Sequence, residues 1–341
     1  MDFFEQLKMK LKDQNVRLVF PEATDERIIK ACARLQAEHL IQPVLLGDKE
    51  EIEPIAYRCG VLIDEIEFIN PKTYPRLEEM IDTLFTRRNG KITKEEAREL
   101  VQDVNYFGTM LTYMGIVDGM VSGAIHSTGD TVRPALQIIK TKPGVKRTSG
   151  AFLLLRGRGD QERYLFSDCA INVDPDAPLL AEIAMETAKT AESLGIPPRV
   201  AMLSYSTNGS GSGPAVDKVK EALEIIKEKN QDPNAIFEGE IQFDAAYDKT
   251  VADLKYPDSK IAGKCTVFVF PELQSGNIGY KIAQRLGGFD AIGPILQGLN
   301  KPISDLSRGA CTNDVYKVSL ITAMQALMDK DEANDSEIKN R

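Results

Sequence analysis

Short runs of aliphatic and β-branched residues alternate with helix-period segments almost from the N-terminus, and this alternation constrains the fold more than any other feature. VRLVF (16–20) reads as a buried strand. TDERIIKACARLQAEHL (24–40) follows, with Ile28, Cys32 and Leu35 at helical spacing and Thr24 as the expected N-cap. PVLLG (43–47) is the next strand, and GIVDGMVSGA (115–124) another, leading into HSTGDTVRPALQIIK, where Pro134 suits the first turn of a helix. RVAMLSYS (199–206), CTVFVFPE (265–272) and AIGPILQG (291–298) continue the series. Repeated βα units predict an α/β protein with doubly wound parallel sheets and helices on both faces.

One segment breaks the rule. RTSGAFLLLRGRGDQERYLFSD (147–168) sets two apolar runs around RGRGDQE, a hairpin signature. At 341 residues the chain exceeds one ordinary core. The expected division is a first α/β domain over 1–145 plus 300–341 and a second over 146–299. The last helix (315–328) would return to the first domain, with 329–341 as a polar, frayed tail. TNGSGSGP (207–214) matches neither dinucleotide nor P-loop fingerprints and reads as a flexible rim loop.

A net charge of −9 argues against a general nucleic-acid binder, which needs a broad basic face. No run of 18 apolar residues exists, and MDFFEQLKMKLKDQ is a charged amphipathic helix without a signal-peptide core, so no membrane association is expected. Five widely spaced cysteines without a CxxC, and only two histidines, leave little for a metal site. Mostly buried thiols in a reducing cytoplasm are the expectation.

Ligands of open α/β proteins sit beyond the carboxyl ends of strands, so the loops there carry the chemistry. DLSRGACTND (305–314) is the richest. Val315, Val318, Ile321 and Met324 begin a helix near Thr312 or Asn313, which sets SRGAC at an amino end that favours anions. Arg308 offers a fork for phosphate or a developing oxyanion, Ser307 a short donor, Gly309 a close backbone approach, and Asp314 a first-turn carboxylate. An N-cap with an ordinary acid and a solvated arginine would leave the same pattern.

HSTGDTVRPA (126–135) clusters Arg133 with Ser127, Thr128 and Thr131, again an anion-friendly arrangement. His126, with no partner visible nearby, reads as a structural hydrogen-bonder rather than a base. In SGNIGYKIAQRLGG (275–288), Lys281 and Arg285 lie one turn apart on a helix face, which solvation explains equally well. Cys311 has the position of an activated thiolate, but a buried small hydrophobe is the preferred reading.

The blocks VFPEATDERIIKA, VSGAIHSTGDTVRPALQIIK, DAAYDKTVADLKYPDSKIAGK, FVFPELQSGNIGYKIAQRLGG and GPILQGLNKPISDLSRG, in this order, resemble the phosphate acetyltransferases (phosphotransacetylases) over nearly the whole chain. The resemblance implies the reaction acetyl-CoA + phosphate = CoA + acetyl phosphate. CoA, acetyl phosphate and inorganic phosphate would be the partners, with no bound cofactor or metal and with activation by potassium or ammonium. It implies a cytoplasmic homodimer whose subunit has two three-layer α/β/α domains and a deep interdomain cleft, similar to the isocitrate/isopropylmalate dehydrogenase-like fold. It places Ser307, Arg308 and Asp314 on catalytic positions, and Arg133 and Arg285 on substrate-contacting arginines, with Ser127 and Thr128 beside them. Arg87, in FTRRNGKITKEEA, falls on an arginine associated with CoA, and Arg88 offers the same side chain one position on.

The expected chemistry is direct transfer in a ternary complex: Asp314 takes the thiol proton, sulfur attacks the acetyl carbonyl, Ser307 steadies the tetrahedral oxygen, and Arg308 holds the phosphate. A carboxylate ordinarily near 4 is a poor match for a thiol near 8.5, so Asp314 as a true base and Asp314 as an orienting group both stay open. A phosphate butyryltransferase, a dehydrogenase of the related fold and a non-catalytic anion-binding domain are the alternatives.

Overall fold

The computed structural model describes residues 2–339, with 331–339 by backbone alone. The chain forms two compact units, one from Phe3–Lys142 with the chain from Leu299 onward, the other from Pro143–Gly298. Among the described residues the strands are β1 (Arg17–Phe20), β2 (Gln42–Leu46), β3 (Glu67–Ile69), β4 (Gly119–Ser122), β5 (Ser149–Arg156), β6 (Glu162–Ser167), β7 (Arg199–Leu203), β8 (Ile236–Ile241), β9 (Val267–Val269), β10 (Asp290–Gln297) and β11 (Ile303–Asp305).

In the first unit the sheet order is β11-β4-β1-β2-β3, parallel throughout. Leu18, Val19, Phe20, Met120 and Val121 are fully buried, as parallel strands covered by helices require. Helix Val104–Tyr113 packs on β1 and β4, and helix Thr312–Lys339 packs on β4 and β11 and against helices Phe3–Leu11 and Glu26–Ala37. Helix 312–339 starts where the apolar spacing predicts, but continues through the stretch expected to fray. Residues 340 and 341 lie outside the described residues.

In the second unit the order is β10-β5-β6-β9-β7-β8. β6, β9, β7 and β8 run parallel, whereas β5 is antiparallel to both β6 and β10, so this sheet is mixed rather than parallel. The cause is the hairpin: Gly157, Gly159 and Asp160 take positive φ (88°, 70° and 52°) and reverse the chain after β5. Phe152, Phe166, Phe268 and Phe270 fill the core on this sheet.

Three local expectations are corrected. Asp25, not Thr24, caps helix 26–37, its carboxylate accepting from Arg27 N at 2.8 Å. Pro134 ends helix Thr128–Pro134 instead of beginning one, and the chain widens into a π-helical turn over Ala135–Ile139. A proline has no N–H for the preceding turn and its ring crowds the carbonyl there, which favours such widening. The loop at 207–214 is also anchored rather than loose. Buried Glu240 accepts from Gly209 N (2.7 Å) and Ser206 Oγ (2.9 Å), and Tyr205 donates to Ser212 O (2.8 Å).

Candidate active site

β4 and β11 pair in register, Asp305 opposite Ser122, and Leu306 N donates to Ser122 O at 2.7 Å. Their carboxyl ends therefore release two loops side by side, 123–128 and 306–311. The approach is too close for a side chain at position 123: a Cβ on Gly123 (φ 107°) would stand 2.4 Å from Asp305 Oδ1 and 2.6 Å from Leu306 N. The two richest sequence loops are thus neighbours because two strands are.

The 123–128 loop is held from below by Glu22, whose carboxylate is fully buried. It accepts from Ala124 N (2.7 Å), Ile125 N (2.9 Å), His126 N (3.0 Å) and His126 Nδ1 (2.7 Å). His126 therefore has a partner that the sequence did not reveal, one contributed from the end of β1. Ser127 caps the following helix in a reciprocal box with Asp130, its Oγ donating to Asp130 Oδ2 at 2.6 Å. That bond holds the Asp130 carboxyl below its ordinary range, with nearby Arg133 adding to the effect. Arg133 is exposed and makes no hydrogen bond or ion pair among the described residues.

Thr128 Oγ1 donates to Asp305 Oδ2 at 2.7 Å. Asp305 is only 1% exposed, and its other oxygen is buried without a partner. Burial pushes its carboxyl up to about 6. The Thr128 hydrogen bond and, more weakly, the Thr131 hydroxyl pull the other way, while Glu22 adds to the rise.

Ser307, Arg308 and Gly309 are exposed on a tight turn closed by Ala310 N to Ser307 O at 2.8 Å. The Arg308 guanidinium has no hydrogen bond or ion pair among the described residues. Asp314 behaves in part as the plain first-turn acid: its Oδ2 accepts from Cys311 N at 2.8 Å. Among the described residues its other oxygen has no hydrogen bond, and Asp314 and Arg308 do not pair. Cys311 is exposed, which corrects the expectation of a buried small hydrophobe. Cys32, Cys169 and Cys265 are buried, and burial raises their thiol pKa values.

Arg87 approaches the same segment by another route. Its Nε and Nη2 donate to Ile138 O (2.7 Å) and Ile139 O (3.1 Å), just beyond the Arg133 helix, and its guanidinium lies over Tyr113 at 4.8 Å. It lines an open pocket of about 760 Å³ with Lys140, Thr83, Thr86 and Asn89, and with the carboxylates Glu79 and Asp82, which pair with Arg76 and Lys94. Lys140 is held below the usual ammonium range, first by the charge of Arg87, then by burial, Lys91 and Arg88. Cations crowded this way favour a polyanion. Arg88 differs from Arg87, since its Nε is buried without a partner. Arg285 belongs to the second unit, exposed at the end of helix Leu273–Arg285.

Five candidate residues therefore lie on the two loops that leave the β4/β11 edge or on the helix starts after them: Ser127, Thr128, Ser307, Arg308 and Asp314. Glu22 and Arg27, which fasten those loops, were not selected. Their only sequence signal is a Glu and an Arg flanking a helix start, common features of any surface. No group of three or more His, Cys, Asp or Glu suited to a metal ion occurs among the described residues.

Comparison with known proteins gives one consistent answer. Residues 2–323 match the phosphate acetyl/butaryl transferase family. A phosphate acetyltransferase from Staphylococcus epidermidis is 54% identical over 329 residues, covering 96% of this chain and 99% of that one. Among solved structures, a phosphotransacetylase from Streptococcus pyogenes superimposes with a TM-score of 0.91 at 55% identity, covering 96% of this chain and 98% of that one. One from Staphylococcus aureus gives 0.90 at 53% identity, covering 95% and 98%.

Proposed function

The chain belongs to the phosphate acetyl/butaryl transferase family, and from that premise we propose how its residues carry out reversible acetyl transfer between CoA and phosphate. The enzyme is an acyltransferase with the reaction acetyl-CoA + phosphate = CoA + acetyl phosphate. Relatives at 54% identity carry the acetyl name, so the butyryl alternative is not favoured.

The observation that carries the mechanism is the Arg308 guanidinium, exposed and unpartnered on a turn whose backbone is fixed. A fork left free in this way is ready for a phosphoryl group. In the direction of acetyl-CoA synthesis the CoA thiol gives its proton to the Asp314 oxygen that Cys311 N leaves vacant. Sulfur then bonds to the acetyl carbon, the carbonyl electrons move to oxygen, and Ser307 donates to that oxyanion. The oxyanion collapses, the bond from carbon to the phosphate oxygen breaks, and phosphate departs with the electron pair against Arg308. Fixed donors of this kind act without reorganising as charge develops. Arg133, Ser127 and Thr128 bind substrate beside them, and Arg87 with Lys140 takes the anionic groups of CoA. Arg285 is assigned a substrate contact.

Further parts of the proposal rest on separate features. A homodimer is supported by an exposed apolar row on one helix and its C-cap, Ile278, Ile282 and Leu286 at 55%, 52% and 85% exposure. A cytoplasmic location is supported by five cysteines that are all free thiols. No helix among the described residues is long and apolar enough to cross a membrane. Activation by potassium or ammonium is proposed with the partnerless Asp305 Oδ1 as its supporting feature. The direct test is thioester formation from CoA with acetyl phosphate and with butyryl phosphate. A higher kcat/KM for acetyl supports the reading; no thioester from either would favour a non-catalytic anion-binding domain.

A further inference from the structure

The β1 end and the helix after it supply a residue that the chemistry above does not use. Arg27 is a long way from both site loops in sequence, 281 residues from Arg308 and 97 from Ala124, yet it touches both. Its Nη1 donates to Arg308 O and Ala310 O, each at 2.8 Å. Its Nη2 donates to Ala124 O at 2.8 Å and to Asp25 Oδ2 at 2.7 Å, and its Nε donates to Asp25 Oδ1 at 2.9 Å. Every N–H that a guanidinium possesses is therefore used. The Asp25 carboxylate is itself fixed, because it caps helix 26–37.

This arrangement has a direction. The bidentate bond to Asp25 sets the plane of the guanidinium, and the plane sets where the three carbonyls lie. Two of those carbonyls bracket Gly309 in the turn that presents Arg308, and the third belongs to the loop that presents Ser127 and Thr128. The Arg308 guanidinium has no hydrogen-bond partner among the described residues, so what aims it is its backbone. Ser307 Oγ accepts from Gly309 N within the turn at 3.3 Å, and Arg27 is the side chain that ties the turn to the rest of the fold.

We propose that Arg27 is the positioning residue of the transfer site, locking the 308–310 turn against the 124–128 loop so that Arg308 meets the phosphoryl group. The proposal rests on the reading that Arg308 acts on phosphate. It contacts no substrate itself. A lysine cannot replace it, since three donors on a flexible stem cannot span a carboxylate and three carbonyls at once.

The test is a double-mutant cycle in steady-state turnover of acetyl phosphate with CoA, using R27M, R27K, R308M and R27M/R308M. Removing charge-assisted bonds to the turn should lower kcat of R27M by about 10–100-fold, with KM for CoA within about threefold and R27K failing to restore it. In the R308M background the same R27M change should cost less than about threefold, because what it positions is gone. An equal loss in both backgrounds, a loss confined to KM, or full turnover in R27M would overturn the proposal. Should R27M fail to fold, D25N keeps the guanidinium but weakens its fork. It should reduce kcat in the Arg308 protein and not in R308M, and wild-type kcat in D25N would count against Arg27. An inactive wild-type protein, or R308M with full turnover, would instead strike at the underlying reading, and is seen before any Arg27 variant is made.

Discussion

Thr128 Oγ1 and Asp305 Oδ2, 177 positions apart in the chain, lie 2.7 Å from each other and join the two loops of the site through a buried carboxylate. The other Asp305 oxygen is buried with no hydrogen bond of normal length among the described residues, so the group sits in the fold at a cost when ionised.

That cost sets a pH dependence. Burial raises the Asp305 carboxyl from 3.8 to about 6. A raised carboxyl favours the folded state only while protonated. Its contribution is fully present below about pH 4 and is lost as pH rises through about 6. D305N removes the buried charge, so it should be more stable than the parent at pH 8 by roughly 1–3 kcal/mol, with the difference fading by pH 4. Urea melts at the two pH values check this, and a D305N protein destabilised equally at both would contradict it.

Arg308→Lys isolates the fork from the charge. A lost bidentate contact to phosphate is worth about 1.5–3 kcal/mol, so kcat should fall by one to two decades. The guanidinium makes no hydrogen bond or ion pair among the described residues, so stability should stay within about 0.5 kcal/mol of the parent. Steady-state kinetics beside a denaturation curve measure both, and unchanged kinetics would remove Arg308 from the transfer step.

Asp314→Asn separates proton transfer from helix capping. Asparagine still offers an oxygen to Cys311 N, so the helix start should survive with a change under about 1 kcal/mol. Loss of a true base should cost about 10²–10⁴ in turnover. A variant with near-full activity would leave Asp314 as a cap that orients the thiol.

Much of the fold was legible because parallel strands and their helices leave local, periodic signals. The strand at 16–20, the hairpin around 147–168 and the helix start near Thr312 all follow from such patterns. Asp25 outcompetes Thr24 as a cap through a single carboxylate contact, which spacing cannot reveal. Pro134 ends a helix because Ser127 and Asp130 form its start about two turns earlier, a signal present in the sequence but overshadowed by the proline. Ser307, Arg308 and Asp314 could be singled out because they share one loop. Glu22 and Arg27 could not, since each acts on backbone atoms brought near only by the pairing of β4 with its neighbours β1 and β11. The exposure of Cys311 is not legible for a related reason: a loop cysteine carries no local mark of it.

The proposed transfer is direct, from phosphate to sulfur with both substrates bound, and forms no acyl-enzyme on the exposed Cys311. Exchange of labelled inorganic phosphate into acetyl phosphate, measured with and without CoA and repeated in C311A, tests it most directly. Direct transfer gives exchange that requires CoA and persists in C311A. Exchange without CoA that disappears in C311A would contradict it, since it would place the acetyl group on the enzyme between the two half-reactions.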